Sequence, residues 1–314
     1  MAVSTGPLGS GNIDVTRAAT FIPEMWSDEV LAAYTRKNVM MGLVRKYPFM
    51  GKKGDTLHIP VPSRGQATAK VAKTQVNLQF NTASELTMVV DKHYEYSKLF
   101  EDIMLTQAMN SYRRFFTEDA GYQLSQQIDT DLIQLGRYAN NGNGAVAYAA
   151  AYIGSDGTTL YTGSNEAAIT DAAIRRTIQR LDDNDVPTTD RFMLIPPAAK
   201  NTLLGLARFT EQSFTGETGS GNSIRNGRVG DIYGMDVYVS SACDTATGDA
   251  RIVLIGHKDA FAIAMQKGIR VQTQNKLEYL GDLLVADVLY GVKAVRVGAS
   301  ADLASAVYAL AVTA

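Results

Sequence analysis

One cysteine in 314 residues, Cys243, cannot pair within the chain, so a disulfide framework is excluded. Three histidines, His58, His93 and His257, leave no His-rich metal set, and none stands four residues from another. An excess of charge of one sign is also missing. Thirty Lys+Arg face 32 Asp+Glu, a formal net charge of −2, which argues against a strongly basic nucleic-acid binder. No apolar run reaches the roughly 20 residues that a membrane-spanning helix needs; the most apolar stretches, Gly144–Ile153 and Ala301–Ala314, fall short. Met1–Asn12 has no basic residue and no apolar run, so no signal peptide is expected, and the product is expected in the cytosol.

What is present is ordinary globular composition, 46% hydrophobic and 20% charged, enough for a sizeable core and against wholesale disorder. At roughly 150 residues per domain the length suggests about two domains. Residues 1–19 are rich in Gly, Ser and Thr and read as an arm. A helix is expected from Pro23 to Asn38, with Met25, Trp26, Val30, Leu31 and Tyr34 at helical spacing. From 43 to 96 the period changes to two: Leu57, Ile59 and Val61, then Leu86, Met88 and Val90, leading into Tyr94 and Tyr96. Between them lies the polar, basic stretch Pro62–Gln75 with Arg64, Lys70 and Lys73. The pattern is a long two-stranded arm with a wet tip. Pro60 and Pro62 argue against a central strand, and an isolated ribbon is marginal in water. The arm is therefore expected to lean on a neighbouring copy of the chain.

Residues 98–140 form the clearest helical region, with Ala120, Leu124, Ile128, Leu132 and Leu135 on one face. A helix of about 25 residues is about 40 Å long, the length of a spine. Asn140–Gly144 ends it with turn residues. Beyond 145 the pattern is mixed. A helix carries Ile174, Ile178 and Leu181 and stops before Pro187. A strand covers Arg191–Ile195, and Pro197 opens a helix with Leu203, Leu204 and Leu206. A Gly/Ser/Thr/Asn-rich loop spans 211–230. Strands follow at Met235–Val239, Arg251–Ile255, Ile269–Gln274 and Leu283–Val297, with a short helix at Asp259–Met265. The order is helix, long arm, spine helix and α+β body.

Chemistry-bearing motifs are scarce. Gly216–Ser223 has the spacing of a phosphate loop, but Asn222 stands where the phosphate-binding lysine belongs. Gly142–Ala147 has GxGxxA spacing but follows a helix rather than a strand. Asp182, Asp183, Asn184 and Asp185 are consecutive, as at a helix end, and lack the alternation of a calcium loop. Asp129 and Asp131 diverge on a helix and do not share a metal. Cys243 sits beside Asp244, whose charge discourages a thiolate. No catalytic constellation, cofactor site or metal site is expected.

Five stretches in order resemble the major capsid proteins of tailed bacteriophages. They are FIPEMW (Phe21–Trp26), DRFMLIPP (Asp190–Pro197), SIRNGRVGDIYGMDVYVS (Ser223–Ser240), HKDAFAIAMQ (His257–Gln266) and LYGVKAVR (Leu289–Arg296). The resemblance covers about residues 20–310. It implies an α+β chain with the Hong Kong 97-type capsid fold. Its parts would be an N-terminal arm with helix (1–42), an extended β-hairpin loop (43–97), a peripheral domain with the spine helix (98–144 and 286–314) and a mixed α/β axial domain (145–285). It implies a non-enzymatic shell subunit that assembles with itself into pentamers and hexamers in the host bacterial cytoplasm. The icosahedral virion capsid would enclose double-stranded DNA without reading its sequence, and no membrane is involved. A separate scaffolding protein, a portal and a decoration protein are implied partners. The inter-subunit contacts implied are Arg64, Lys70 and Lys73 on the arm, Trp26 near the N-terminus, and Arg225 and Arg228 in the long loop. Noncovalent locking is the default. The rival readings are an encapsulin-like compartment of the same fold, a soluble α+β enzyme without a recognisable motif, and another virion part, which should be richer in strands.

Overall fold

The computed structural model describes residues 35–49, 53–65, 67–76, 78–80, 83–101, 110–141, 144, 151–206, 230–297 and 305–313. Ten strands and three α-helices are defined among them. In chain order they are β1 (Arg45–Tyr47), β2 (Thr56–Pro62), β3 (Ala83–Val89), β4 (Lys92–Glu101), α1 (Asn110–Gln134), α2 (Asp171–Asp183), β5 (Arg191–Ile195), α3 (Pro197–Leu204), β6 (Asp236–Val239), β7 (Arg251–His257), β8 (Phe261–Lys276), β9 (Gly281–Ala294) and β10 (Val307–Val312). One four-stranded sheet runs β1-β8-β9-β4, a second runs β10-β7-β5-β6, and β2 and β3 pair alone.

The spine helix forms as its periodicity requires. Ala120, Leu124, Ile128, Leu132 and Leu135 are all buried, and they join the residues of both four-stranded sheets in one hydrophobic core. A 3-10 turn, Leu135–Asn141, continues α1, and Asn140 there takes the left-handed conformation (φ 49°). That is the expected stop. The start differs. Residues 98–101, expected as helix, complete β4, and the described helix begins at Asn110. The two-residue alternation through Tyr94 and Tyr96 runs on because β4 pairs antiparallel with β9 over its full length, Lys92↔Tyr290 to Glu101↔Gly281. Pairing along a neighbouring strand overrides local helical propensity.

The helix expected over Asp259–Met265 is also overturned. A 3-10 turn at Lys258–Ala260 leads straight into β8. Phe261 and Ile263 face the main core, while Ala262 and Ala264 face a second cluster with Phe49, Met88 and Val90. A strand buried on both faces shows a continuous apolar run, which periodicity does not separate from a buried helix. Helix α2 matches expectation: the Thr170 side chain caps it by accepting from Ala173 N, it buries Ile174 and Leu181, and it stops at Asn184. Of the helix expected over Pro23–Asn38, residues 23–34 lie outside the described residues, and 35–38 are not helical.

The arm exists, but its root is carried by its own chain. β2 and β3 pair from Thr56↔Val89 to Pro62↔Ala83. Met88 and Val90 are buried against Phe49, Ala262 and Ala264, with Leu57 and Ile59 packed alongside. Val90 N donates to Asp55 O (2.7 Å) and Gln266 Nε2 to Gly54 O (2.9 Å). Beyond Pro62 the described residues as far as Phe80 carry no strand. The sheets also cut across the four expected parts. β8, from 145–285, pairs with β9 and β1, whereas β10, from 286–314, pairs antiparallel with β7.

Candidate assembly surface

The described residues 64–80 of the arm are exposed. Arg64, Lys70 and Lys73 stand on it, and 63–80 holds no acidic residue. Three of the six expected contact residues thus stand on one projection. Trp26, Arg225 and Arg228 lie outside the described residues, as do the loop 211–229, the phosphate-loop spacing at 216–223 and most of Gly142–Ala147. The expectation of a wet tip is incomplete. Val71, Val76, Leu78 and Phe80 are exposed too, Phe80 to 94%. Single exposed apolar residues are common, whereas these four fall within ten residues. The sequence does carry a signal for them: Val76, Leu78 and Phe80 alternate, as they would in a strand. Among the described residues, neither four-stranded sheet includes them.

A second projection was not expected. The turn between β8 and β9 presents Leu277 (82% exposed), Tyr279 and Leu280. Leu280 there adopts φ 43°, a left-handed conformation that a side chain ordinarily avoids. Its signal in the sequence is an apolar triplet at a turn, where Gly or Asn is the easy choice.

Buried polar ties join the elements of the body that carries these projections. Asp131 is buried and accepts from Tyr290 OH (2.8 Å) and Gln127 Nε2 (2.9 Å), with Lys92 Nζ at 2.9 Å, tying α1 to β4 and β9. Burial and the Asp131 charge push the Tyr290 phenol far up. Asp129 points elsewhere, accepting from Val39 N (3.0 Å) and Met40 N (2.8 Å). The two carboxylates diverge as their helical spacing requires. Arg137 grips Asp244 with both Nε (2.6 Å) and Nη2 (2.8 Å), a bidentate pair at the end of the spine. Buried Arg191 binds Asp182 (2.7 Å) and the carbonyls of Val186 and Pro187, so the acidic run Asp182–Asp185 serves a helix end.

The three histidines are similarly occupied. His58 meets Glu85 (3.0 Å), His93 meets Asp287 (3.4 Å), and buried His257 accepts from Asp259 N (3.1 Å). The Cys243 thiol is pushed up to about 12, first by burial. Its inertness therefore does not come from the neighbouring Asp244, which is engaged by Arg137. An open groove at Asn140, Thr158, Leu160, Arg180, Asp183, Asn184 and Tyr308 has Arg180 stacked over the Tyr308 ring. It brings together no nucleophile and base. Among the described residues no group of His, Cys, Asp or Glu is placed to hold a metal, and no helix is long and apolar enough to cross a membrane.

Comparison with known proteins gives a consistent result. The phage capsid protein family matches residues 101–309. No curated protein matches the sequence. Among solved structures, one from Mycobacterium phage Che8 is 20% identical, with a TM-score of 0.68 over 92% of this chain and 97% of that one. The capsid of Cyanophage P-SCSP1u is 15% identical, with a TM-score of 0.73 over 98% and 97%. The capsid of Ralstonia phage GP4 is 15% identical, with a TM-score of 0.67 over 99% and 98%.

Proposed function

The chain belongs to the phage capsid protein family and is a structural major capsid protein, and on that premise we propose that its two exposed projections build the shell. Its fold is the Hong Kong 97-type capsid fold, and its place is in a virion shell made of copies of itself. In our reading the shell is icosahedral, assembles in the host bacterial cytoplasm from rings of five and six, and encloses double-stranded DNA. A separate scaffolding protein, a portal and a decoration protein complete it.

The observation that carries this reading is the apolar set Val71, Val76, Leu78 and Phe80, uncovered on an arm whose root is firmly packed. Each arm lies across a neighbouring copy and buries that set there, gaining hydrophobic free energy that the single chain lacks. Arg64, Lys70 and Lys73 set register and partner choice more than affinity. Such head-to-tail contacts are heterologous and close into rings. Each is individually modest, and multivalency makes the assembled shell persistent. The near-neutral charge suits a DNA container, because a strongly basic wall would bind phosphates and immobilise incoming DNA.

Strand membership supports one adjustment to the four-part division. We keep an N-terminal arm (1–42) and an extended loop (43–97), assign 261–294 to the peripheral domain with the spine helix, and assign 305–313 to the axial domain.

Negative-stain microscopy of the particulate fraction from the native source, with its ultraviolet absorbance ratio, tests the proposal. Angular shells rich in nucleic acid are expected. Shells filled with protein and free of nucleic acid would instead establish an encapsulin-like compartment. Absence of the protein from large particles would refute assembly.

A further inference from the structure

Residues 35–40 run as a strap along the spine helix just before β1 and the arm root. Arg36 N donates to Tyr122 OH (2.9 Å). Arg36 Nη2 reaches Gln126 O (3.2 Å) and Thr130 Oγ1 (2.7 Å). Asn38 Nδ2 donates to Ser125 Oγ (2.9 Å), and Val39 N and Met40 N both donate to Asp129 Oδ1. The strap is thus clasped over two turns of α1, and Asp129 at its end is 1% exposed.

Two acceptors in this clasp have no donor among the described residues: Asp129 Oδ2 and Asn38 Oδ1, both buried. Arg36 Nε is buried without a partner as well. A buried carboxylate oxygen left unsatisfied is costly, and so is a buried amide oxygen. Both acceptors belong to the same short contact between 38–40 and 125–129. One proton resolves both, because a protonated carboxyl gains a single O–H donor while its other oxygen still accepts.

We propose that Asp129 is protonated when the clasp is closed, donating from Oδ2 to Asn38 Oδ1, and that ionisation of Asp129 loosens the strap from the spine helix. Among the described residues, the charged and titratable groups around it are few. From the strap, Arg36 favours the ionised form. From the loop before β7, Cys243 faces it as a neutral thiol, with Arg251 beyond. On α1 itself, Asp131 points away to Lys92 and Tyr290. Burial is the largest influence and raises the Asp129 carboxyl above its ordinary range, against the pull of the Met40 and Val39 amides and Arg36. A folded-state value raised in this way means that the stabilisation is complete below the unfolded carboxylate range. It is lost as pH rises through the folded value. The strap feeds directly into β1 and the arm root, so the same proton governs how firmly the arm is anchored to the spine.

Hydrogen exchange by mass spectrometry on the full-length protein tests this, with rates corrected for the intrinsic effect of pH. Protection of residues 36–42 in the wild type should fall by up to about tenfold per pH unit as pH rises from the ordinary carboxylate range to the Asp129 midpoint, and level off above it. Asp129→Asn accepts on Oδ1 and donates from Nδ2, so it should hold high protection across the whole range. Low protection in Asp129→Asn, or wild-type protection that grows with pH, overturns the proposal. Asn38→Ala is the second variant and serves alone if Asp129→Asn does not fold. Removing the proton's acceptor should move the wild-type midpoint down. An unchanged or raised midpoint would mean that Asn38 does not accept this proton, and the proposal fails.

Discussion

The Asp131 carboxylate takes hydrogen bonds from Tyr290 and Gln127 and an ion pair from Lys92 at a position only 5% exposed. Asp131→Ala strands the fully buried Tyr290 hydroxyl and removes the counterion of Lys92. We expect a loss of about 3 kcal/mol, read as a lower denaturant midpoint at unchanged slope. A change below the error of the melt would refute the tie between spine and sheet. At Asp287 the direction with pH is the reverse of that at Asp129. Arg270 reaches it through Nε (2.5 Å) and Nη2 (2.9 Å) and, with a contribution from His93, holds the carboxyl below its usual range. A depressed folded value means that stabilisation is present above the unfolded carboxylate range and lost as pH falls through it. Arg270→Gln should therefore shift the acid-unfolding midpoint upward, and an unchanged midpoint would count against the pair. The sequence shows Asp131 only as one of two diverging helical carboxylates and gives no sign of the partners of either residue. Asp131 is separated from Tyr290 by 159 positions, and side-chain pairing at that distance leaves no local periodic trace.

The core face and the end of the spine helix were legible, though not its start, because the apolar repeat is a local property of one helical face. Leu124→Asp or Leu132→Asp puts an unpaired charge into the core that α1 shares with both sheets, at a cost of several kcal/mol. We expect each to abolish soluble protein; normal yield and melting temperature for both would mean that this face is not the core face. Strand β8 was misread over its first residues for a reason that also belongs to the element. Two different hydrophobic clusters take its two faces, so Phe261–Met265 shows no alternation. β10 is buried at every position and hides in the same way. Gly291 in β9 marks where the arm root crosses the sheet. A Cβ there would collide with the carbonyl oxygen of Val89, so the close approach of β3 to β9 depends on glycine.

For the whole molecule, the packed root and exposed tip of the arm separate folding from assembly. Deleting 63–75, or replacing Val76, Leu78 and Phe80 by Ser, should leave the thermal unfolding of the free subunit unchanged, because none of the described residues among them is buried in it. Shell formation or maturation should be impaired, as scored by sedimentation and microscopy. Wild-type-like particles from both variants would refute the role assigned to the arm. A lowered melting temperature would mean that the tip stabilises its own subunit.

The sequence by itself determined the elements whose faces differ: the alternating arm, the spine helix with one apolar stripe, α2 and the turn that ends the spine. It also limited the chemistry, since one cysteine and three scattered histidines leave few sites to build. Only the tertiary structure decided which strands share a sheet, that the arm root rests on its own chain, and that Leu277–Leu280 project as a second apolar point. It alone decided that Asp129 Oδ2 and Asn38 Oδ1 are buried without a donor where the strap meets the spine. The physical reason is the range of the interactions. Periodicity records what one segment's own solvent boundary requires, whereas sheet order, double burial and polar satisfaction depend on partners far along the chain.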